Sequence, residues 1–325
     1  MKKLVLVFLF IGFYTFGYNQ VIRGTILDEI TKDTICFASI YFNGTFVGTS
    51  SDTNGYFELN VSKNISMPLT ISAVGYYSYT LTDYSNTKPF LIYLKPKVYE
   101  LKDVVIKANS LAKKRKRNLL VFKAEFLGTT ANARQCEIIN EKDITFNYDS
   151  DDDTLKAFAL KPILIDNRAL GYKITYYLDK FEYYKKSGAT FFSGNIIFKE
   201  DISTEETQKQ FNVSREYAYL GSRMHFFRAL WSDKLKSDGF TVTNSVNDIL
   251  LSKDILIRDF KNNKFLTYPE NLRIGYNIGG SYIVFLKRLV YFDQTGYFDP
   301  LGINWKGEMA EQRIADWLPY EYGIE

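Results

Sequence analysis

The chain has 325 residues, enough for two domains, and its charges nearly balance, with 41 Lys and Arg against 37 Asp and Glu. This balance argues against a nucleic-acid-binding protein, which usually carries a concentrated basic surface. The sequence also lacks a phosphate-binding glycine loop and a dinucleotide-binding glycine motif, so we expect no nucleotide partner.

Residues 1–20 have the layout of a secretory signal peptide. A short cationic start precedes an apolar run over 4–16, and small and polar residues follow. The run is shorter than the about 20 residues of a membrane span, and an uncleaved anchor is the alternative. Thr15 and Gly17 fit the −3 and −1 positions of a cleavage site. We therefore expect an exported protein of the periplasm, the outer membrane or the cell surface.

The next segment, 21–108, is predicted to form a small β-sandwich. Apolar residues alternate or cluster in short β-rich runs. The runs are 21–27, 35–42, 56–61, 69–74 and 90–94. Asn43-Gly44 and the turn sequence over 52–55 predict hairpins over 41–49 and 49–59. Short strands joined this tightly favour an antiparallel sandwich.

Four motifs of this segment carry a family resemblance. They are Gly24-Thr25-Ile26-Leu27-Asp28, Ala38-Ser39-Ile40, the run GTSSDTNGYF over 48–57, and Ala73-Val74-Gly75-Tyr76. Together they resemble the carboxypeptidase-regulatory-like domain, a transthyretin-like (prealbumin-like) sandwich that is common in secreted and outer-membrane proteins of Bacteroidetes. The resemblance implies an accessory role in the cell envelope, and it leaves outer-membrane association open. It implies no activity, because the domain accompanies many different neighbours.

The histidine and cysteine counts limit metal and disulfide chemistry. A zinc carboxypeptidase needs at least two histidines and a carboxylate, and His225 is the single histidine, so that enzyme is excluded. We expect no metal and no cofactor. Cys36 and Cys136 are the two cysteines. Two buried free thiols are favoured over a bridge between the domains.

A basic linker is predicted over 109–118, and an α+β domain of unknown function over 119–325. The run Lys113-Lys114-Arg115-Lys116-Arg117 could instead open a helix that continues to Phe126, or touch an anionic lipid or glycan.

Strands are expected again in the first part of the second domain. They are 136–139, 144–148, 157–160, 172–184 and 189–198. The acidic run over 149–153 could bind Ca²⁺. A hairpin turn is favoured, because Thr154 and Leu160 stand where an EF-hand loop has Gly and Glu.

A helical segment is predicted over 203–238. Ser203 and Glu206 fit a capping box, Gly221 is a candidate point of division, and Gly239 is a candidate stop. Apolar residues at three- and four-residue steps predict a core face.

The basic residues of this segment have two possible roles each. Three arginines could clamp an anion, although pairing with acidic residues on the helix surface is the plainer account. They are Arg215, Arg223 and Arg228. His225 could act as a general base, and a packed or surface histidine is the alternative.

The C-terminal part returns to strands, over 271–277, 281–285 and 288–292, and a short helix is expected over 308–318. Trp305, Trp317 and Arg313 are candidate binding residues, since exposed tryptophans can stack on sugar rings. Glu311 and Asp316 are weak catalytic candidates beside them, because paired carboxylates can run glycoside chemistry.

The leading functional interpretation is a non-enzymatic envelope protein that recognises another protein or a glycan. The alternative is a hydrolase whose site assembles from dispersed carboxylates such as Asp166, Glu311 and Asp316. The sequence favours the non-enzymatic interpretation and leaves enzymatic activity open.

Overall fold

The computed structural model describes residues 20–61, 67–84, 88–97, 108–149, 152–260 and 263–323. The predicted signal peptide lies outside these residues except for Gln20, which begins the first strand. The fold is mainly β, with an N-terminal sandwich followed by a mixed α+β region, and this confirms the predicted fold class.

The strands divide between the sandwich and the region that follows it. Those of the sandwich are β1 (Gln20–Asp28), β2 (Ser39–Phe42), β3 (Gly48–Ser50), β4 (Tyr56–Val61), β5 (Leu69–Ser72), β6 (Tyr79–Leu81) and β7 (Phe90–Leu94). The others are β8 (Cys136–Ile138), β9 (Ile144–Asp149), β10 (Thr154–Ala159), β11 (Ile163–Asn167), β12 (Tyr172–Tyr184), β13 (Ala189–Glu200), β14 (Phe240–Asn244), β15 (Ile257–Phe260), β16 (Asn263–Leu266), β17 (Leu272–Tyr276), β18 (Gly279–Phe285), β19 (Val290–Phe292) and β20 (Ile303–Gly307).

Among the described residues, the α-helices follow the sandwich. They are α1 (Ala108–Leu127), α2 (Glu205–Tyr219), α3 (Arg223–Trp231), α4 (Lys253–Leu256) and α5 (Glu308–Glu311). Short 3₁₀ turns span Ala133–Gln135, Glu141–Asp143, Pro300–Gly302 and Ile314–Asp316. Within the described part of the chain, none of the helices combines the length and apolar character that a membrane crossing requires.

The sandwich packs the sheet β4-β1-β7 against the sheet β3-β2-β5-β6. Alternation in β4 buries Phe57, Leu59 and Val61 in the core between them. The pairs are antiparallel, as predicted, except that β7 lies parallel to β1.

One of the two predicted hairpins is wrong. The hairpin over 41–49 is present as the pair β2–β3, but β3 and β4 belong to different sheets. The turn over 52–55 therefore carries the chain across the sandwich. Asp52 Oδ1 accepts hydrogen bonds from the N–H groups of Asn54 and Tyr56. Such a turn can join two strands of one hairpin or lead the chain from one sheet to the other.

Helix α1 includes the segment 109–118, so the basic run opens a helix. The sequence has no Gly or Pro between Ala108 and Leu127, and Gly128, at φ +100°, follows the end of the helix. Two residues of this helix, Phe122 and Phe126, are fully buried against the six-stranded sheet of β8 to β13.

Strand β12 organises that sheet because it is 13 residues long. Strands β11 and β10 share one of its edges, and β13 follows the other edge for almost its full length. The acidic run after β9 lies in the predicted hairpin, where Asp149 pairs with Thr154. Its central residues 150–151 are outside the described part of the chain.

The predicted helical segment is two helices, divided at Gly221, where φ is +76°. The N-cap of α2 is Thr204, whose side chain accepts from the N–H of Thr207, so the prediction of Ser203 was one residue early. Helix α3 ends at Trp231, and Gly239 instead lies just before β14.

Two further sheets, β14-β17-β18-β20 and β15-β16-β19, share a second core with α3. The helix predicted over 308–318 is broken after Glu311. The Gln312 carbonyl accepts from Arg223 Nη2 and Trp317 Nε1, which leaves it unavailable for a continuous helix.

Both cysteines are free. Cys136 is half-buried, and burial raises its thiol pKa to about 12. Cys36 is exposed, which contradicts the expectation that both thiols are buried.

Candidate functional site

The β2–β3 turn of the sandwich is hydrogen-bonded to the second region. The Gly44 N–H donates to the carbonyl of Ile196 at 2.8 Å, and the Phe198 N–H donates to the carbonyl of Thr45 at 3.2 Å. The Asn43 side chain accepts from the Ile196 N–H at 2.7 Å. The turn therefore adds a short parallel bridge beside β13, which fixes the two units relative to each other.

The C-terminal segment closes the other side of this turn. The Tyr320 N–H donates to the Gly44 carbonyl at 2.9 Å, and Glu321 Oε1 accepts from the Phe46 N–H at 2.9 Å. Arg228 on α3 holds the segment in place, because its guanidinium donates to the carbonyls of Tyr320 and Tyr322.

A second contact between the units lies on the outer face of β2. Tyr41 stacks on Tyr177 with 5.9 Å between ring centroids, and the Tyr177 hydroxyl donates to Ser39 Oγ at 2.8 Å. Nearby, Lys97 Nζ lies 3.5 Å from a carboxylate oxygen of Asp179. Burial raises the pKa of Asp179, an effect that Lys97 partly offsets.

Beside these contacts lies a cavity of about 250 Å³, which we call the junction cavity. Its walls come from six parts of the chain: the β2–β3 turn, β12, β13, α2–α3, the loop after β19, and the C-terminal segment. The lining residues are Asn43, Gly44, Tyr176, Phe191, Phe192, Ser193, Gly194, Ile196, Phe198, Ala218, Ser222, Arg223, Met224, Gly296, Tyr297, Phe298, Pro300, Leu301, Gln312, Asp316, Trp317, Leu318 and Tyr320.

The walls are mainly aromatic and aliphatic. Phe192 stacks on Trp317 with 6.2 Å between ring centroids, and the rings of Tyr297 and Tyr320 meet edge to face at 5.7 Å. Burial raises the tyrosine pKa values, that of Tyr297 to about 12. Both hydroxyls are therefore neutral donors at physiological pH.

Arg223 is the cationic side chain among the lining residues. Its Nε donates to the Met309 carbonyl at 2.8 Å and its Nη2 to the Gln312 carbonyl at 2.9 Å. Burial, together with the charge of Arg313, lowers the Arg223 pKa to about 10, so the guanidinium stays protonated near pH 7. No carboxylate of the described chain lies within ion-pair distance of it.

Asp316 is the single carboxylate of the lining. It accepts hydrogen bonds from Thr130 Oγ1 at 3.0 Å and Asn132 Nδ2 at 2.9 Å. Burial raises the Asp316 pKa, and these two hydrogen bonds only partly oppose the shift. Its oxygens are thus already engaged by the loop after α1.

The three predicted binding residues occupy different places. Trp317 is half-buried in the cavity wall, whereas Trp305 lies in the second core, 9% exposed, with Arg223 over its ring. Arg313 packs over Phe192 with its guanidinium carbon 5.7 Å from the ring centroid. The tryptophans therefore do not form one exposed stacking surface.

His225 lies outside the cavity lining and is buried among aromatic rings, 4.7 Å from Tyr219 and 4.8 Å from Phe240 between centroids. Its Nδ1 accepts from the Gly221 N–H at 3.1 Å. Burial lowers the His225 pKa, and Asp238, 3.7 Å from Nε2, partly opposes the shift.

The other dispersed carboxylates also lie outside the lining. Glu311 is exposed at the end of α5, and Asp166 on β11 is paired with Lys173 and Arg168. Over the described ranges, no group of three or more His, Cys, Asp and Glu side chains is placed to hold a metal ion.

The account of surface-paired arginines is wrong for all three arginines of α2 and α3. Arg215 is 6% exposed and donates from Nε to the Leu170 carbonyl at 2.8 Å. Arg223 and Arg228 likewise donate to backbone carbonyls of distant segments. Arg215 also pairs with a carboxylate, since its Nη1 lies 2.8 Å from Glu200 Oε1, but Glu200 belongs to β13 and not to the helix surface.

Comparisons with known proteins agree with the sandwich. Residues 22–106 match the model of the CarboxypepD_reg-like domain family. No curated protein matches the chain. One solved structure, described as a membrane-associated protein of unknown function from Bacteroides fragilis NCTC 9343, is 14% identical. The similarity covers 89% of this chain and 94% of that one with a TM-score of 0.19, a value that supports no inference. The segment 22–106 is a carboxypeptidase-regulatory-like domain.

Proposed function

We propose that this protein is a non-enzymatic accessory protein of the cell envelope that binds part of another protein or a glycan in the junction cavity. The observation that carries the proposal is the cavity itself, which has aromatic walls and contains a protonated Arg223 without a carboxylate partner among the described residues. Concave, mostly apolar sites with a few placed polar groups are typical of ligand binding.

The arrangement of carboxylates favours binding over hydrolysis. Glycoside hydrolysis by the usual route needs two carboxyl groups flanking one bond. The lining supplies Asp316 alone, while Asp166 and Glu311 lie elsewhere. His225 is held by the backbone and by aromatic rings rather than facing the cavity.

Export is part of the proposal and rests on the sequence of residues 1–20. The sandwich supports it, because domains of this family are common in secreted proteins. The periplasm, the outer membrane and the cell surface are alternative locations within this proposal, and fractionation of the cell envelope would distinguish them.

The test fills the cavity without changing charge. Ser193 is half-buried in the lining, so Ser193→Phe should occupy the site, whereas Ser187→Phe places the same ring in an exposed turn. Purified protein is titrated calorimetrically with envelope glycan fragments and short peptides, and each mixture is examined by mass spectrometry.

We expect wild type and Ser187→Phe to bind at least one ligand class without altering its mass, and Ser193→Phe to lose that binding. Turnover that disappears in a His225 or Glu311 variant would overturn the non-enzymatic part. Binding that persists unchanged in Ser193→Phe would remove the cavity from the proposal.

A further inference from the structure

We infer that the junction cavity binds an organic monoanion, with a carboxylate on Arg223 and an apolar or aromatic body against the phenylalanine and tryptophan walls. This inference deepens the proposed function and rests on it. It specifies the chemical class of ligand, whether that carboxylate belongs to a free acid or to the end of a peptide.

The charge of the cavity is the first reason. Arg223 is the cation of the lining, whereas Arg313, whose charge lowers the Arg223 pKa, has Glu125 3.9 Å from its Nη2. Asp316, the carboxylate of the lining, is engaged by Thr130 and Asn132. A buried cation that has no described carboxylate within ion-pair distance is unfavourable, so an anionic ligand group is the complementary species.

The free hydrogen-bond donors are the second reason. The Nη1 group of Arg223 makes no hydrogen bond with any described residue, while Nε and Nη2 fix the plane of the guanidinium. The hydroxyls of Tyr297 and Tyr320 also lack partners within the described chain. A carboxylate can accept from several such donors, and the donors are held in place before binding.

The walls and the size define the rest of the ligand. Besides three tyrosines, four phenylalanines and one tryptophan line the space, namely Phe191, Phe192, Phe198, Phe298 and Trp317. A volume of about 250 Å³ is below the about 300–1,000 Å³ of sites for drug-sized ligands, so the ligand or its bound part is small. One arginine balances one negative charge, whereas a phosphate monoester carries nearly two.

The experiment compares matched acids and amides. The probes are 3-phenylpropanoate and 3-phenylpropanamide, and the tripeptide Gly-Gly-Phe with a free carboxylate or an amidated end. Both pairs are titrated into the full mature chain and into Arg223→Gln, Arg223→Lys, Ser193→Phe and Arg134→Gln. Arg134 is exposed and outside the lining, so its variant is the control for removing one positive charge.

We expect wild type and Arg134→Gln to bind at least one of the acids about tenfold or more tightly than its amide. Arg223→Gln should lose this preference, and Arg223→Lys should keep part of it. Thermal unfolding verifies that each variant is folded. If Arg223→Gln does not fold, the comparison of wild type with Arg223→Lys still tests the inference. Preference for the free acid or for the peptide identifies the source of the carboxylate.

Equal affinity for acid and amide in wild type would overturn the inference, as would an unchanged preference in both Arg223 variants. No binding of either acid up to about 1 mM would also overturn it. If acid and amide bind equally but Ser193→Phe abolishes both, the cavity remains the binding site and only its anion preference is wrong. Binding that Ser193→Phe leaves intact would instead contradict the proposed function.

Discussion

The ring of Tyr320 lies so close to Gly44 that a Cβ added there would stand 2.7 Å from Tyr320 Cε2. Gly44 also has a φ of +79°, and its carbonyl accepts from the Tyr320 N–H. One glycine thus meets a turn requirement of the sandwich and a packing requirement of the C-terminal segment.

Gly44→Ala is expected to destabilise the protein more than an equivalent change elsewhere. Gly75 has a similar φ, +85°, but no described residue beyond its chain neighbours lies within 4 Å of an added Cβ, so Gly75→Ala measures the backbone cost, about 1 kcal/mol. The clash with Tyr320 should add about 1–3 kcal/mol to the loss in Gly44→Ala. Urea unfolding of both variants measures this difference. Equal losses would show that the Tyr320 contact contributes nothing.

Arg228→Gln should loosen the C-terminal segment. The guanidinium donates to the carbonyls of Thr295, Tyr320 and Tyr322, and their loss should cost about 1–3 kcal/mol. Amide hydrogen exchange at 318–323 should become faster, while exchange in the sandwich core should change little. Arg134→Gln, on an exposed side chain, should stay within about 0.5 kcal/mol of wild type.

His225 should make stability fall in mild acid. Its pKa is lowered in the folded protein, so the unfolded chain takes up a proton first, near the ordinary value of about 6.5. The contribution of neutral His225 to the free energy of unfolding is therefore fully present above the pKa of the unfolded chain. It is lost as the pH falls through the lower pKa of the folded protein.

His225→Asn keeps an acceptor for the Gly221 N–H and removes the titration. The difference in unfolding free energy between wild type and this variant, followed from pH 8 to pH 5, should shrink in acid. A difference that is constant with pH would contradict the buried, neutral histidine.

The two thiols should react very differently. Cys36 is exposed, whereas Cys136 is half-buried with a pKa raised by burial to about 12, so little of it is thiolate at pH 8. Iodoacetamide should therefore add one label to native protein, at Cys36, and two after denaturation. Mass spectrometry of tryptic peptides locates the labels, and Cys36→Ser should leave the native protein unlabelled. Absence of both labels in denaturant without reductant would indicate a Cys36–Cys136 bridge.

The sequence by itself determined the sandwich and much of the second region's strand content. Alternation and turn residues are local properties, so β1, β7 and the full length of β12 were predictable from them. Turn sequences alone did not distinguish a hairpin from a crossing between sheets. The pairing of β3 with β2 rather than β4 depends on which strands are neighbours in the sandwich.

Only the tertiary structure decided the site. Arg223 looked like a residue of a solvated helix face, and its role follows from carbonyls of Met309 and Gln312, almost ninety residues later. Trp305 and Trp317 are close in sequence, yet one enters the second core and the other the cavity wall. A cavity lined by six separate segments leaves no local pattern, because its chemistry arises from long-range packing and not from spacing along the chain.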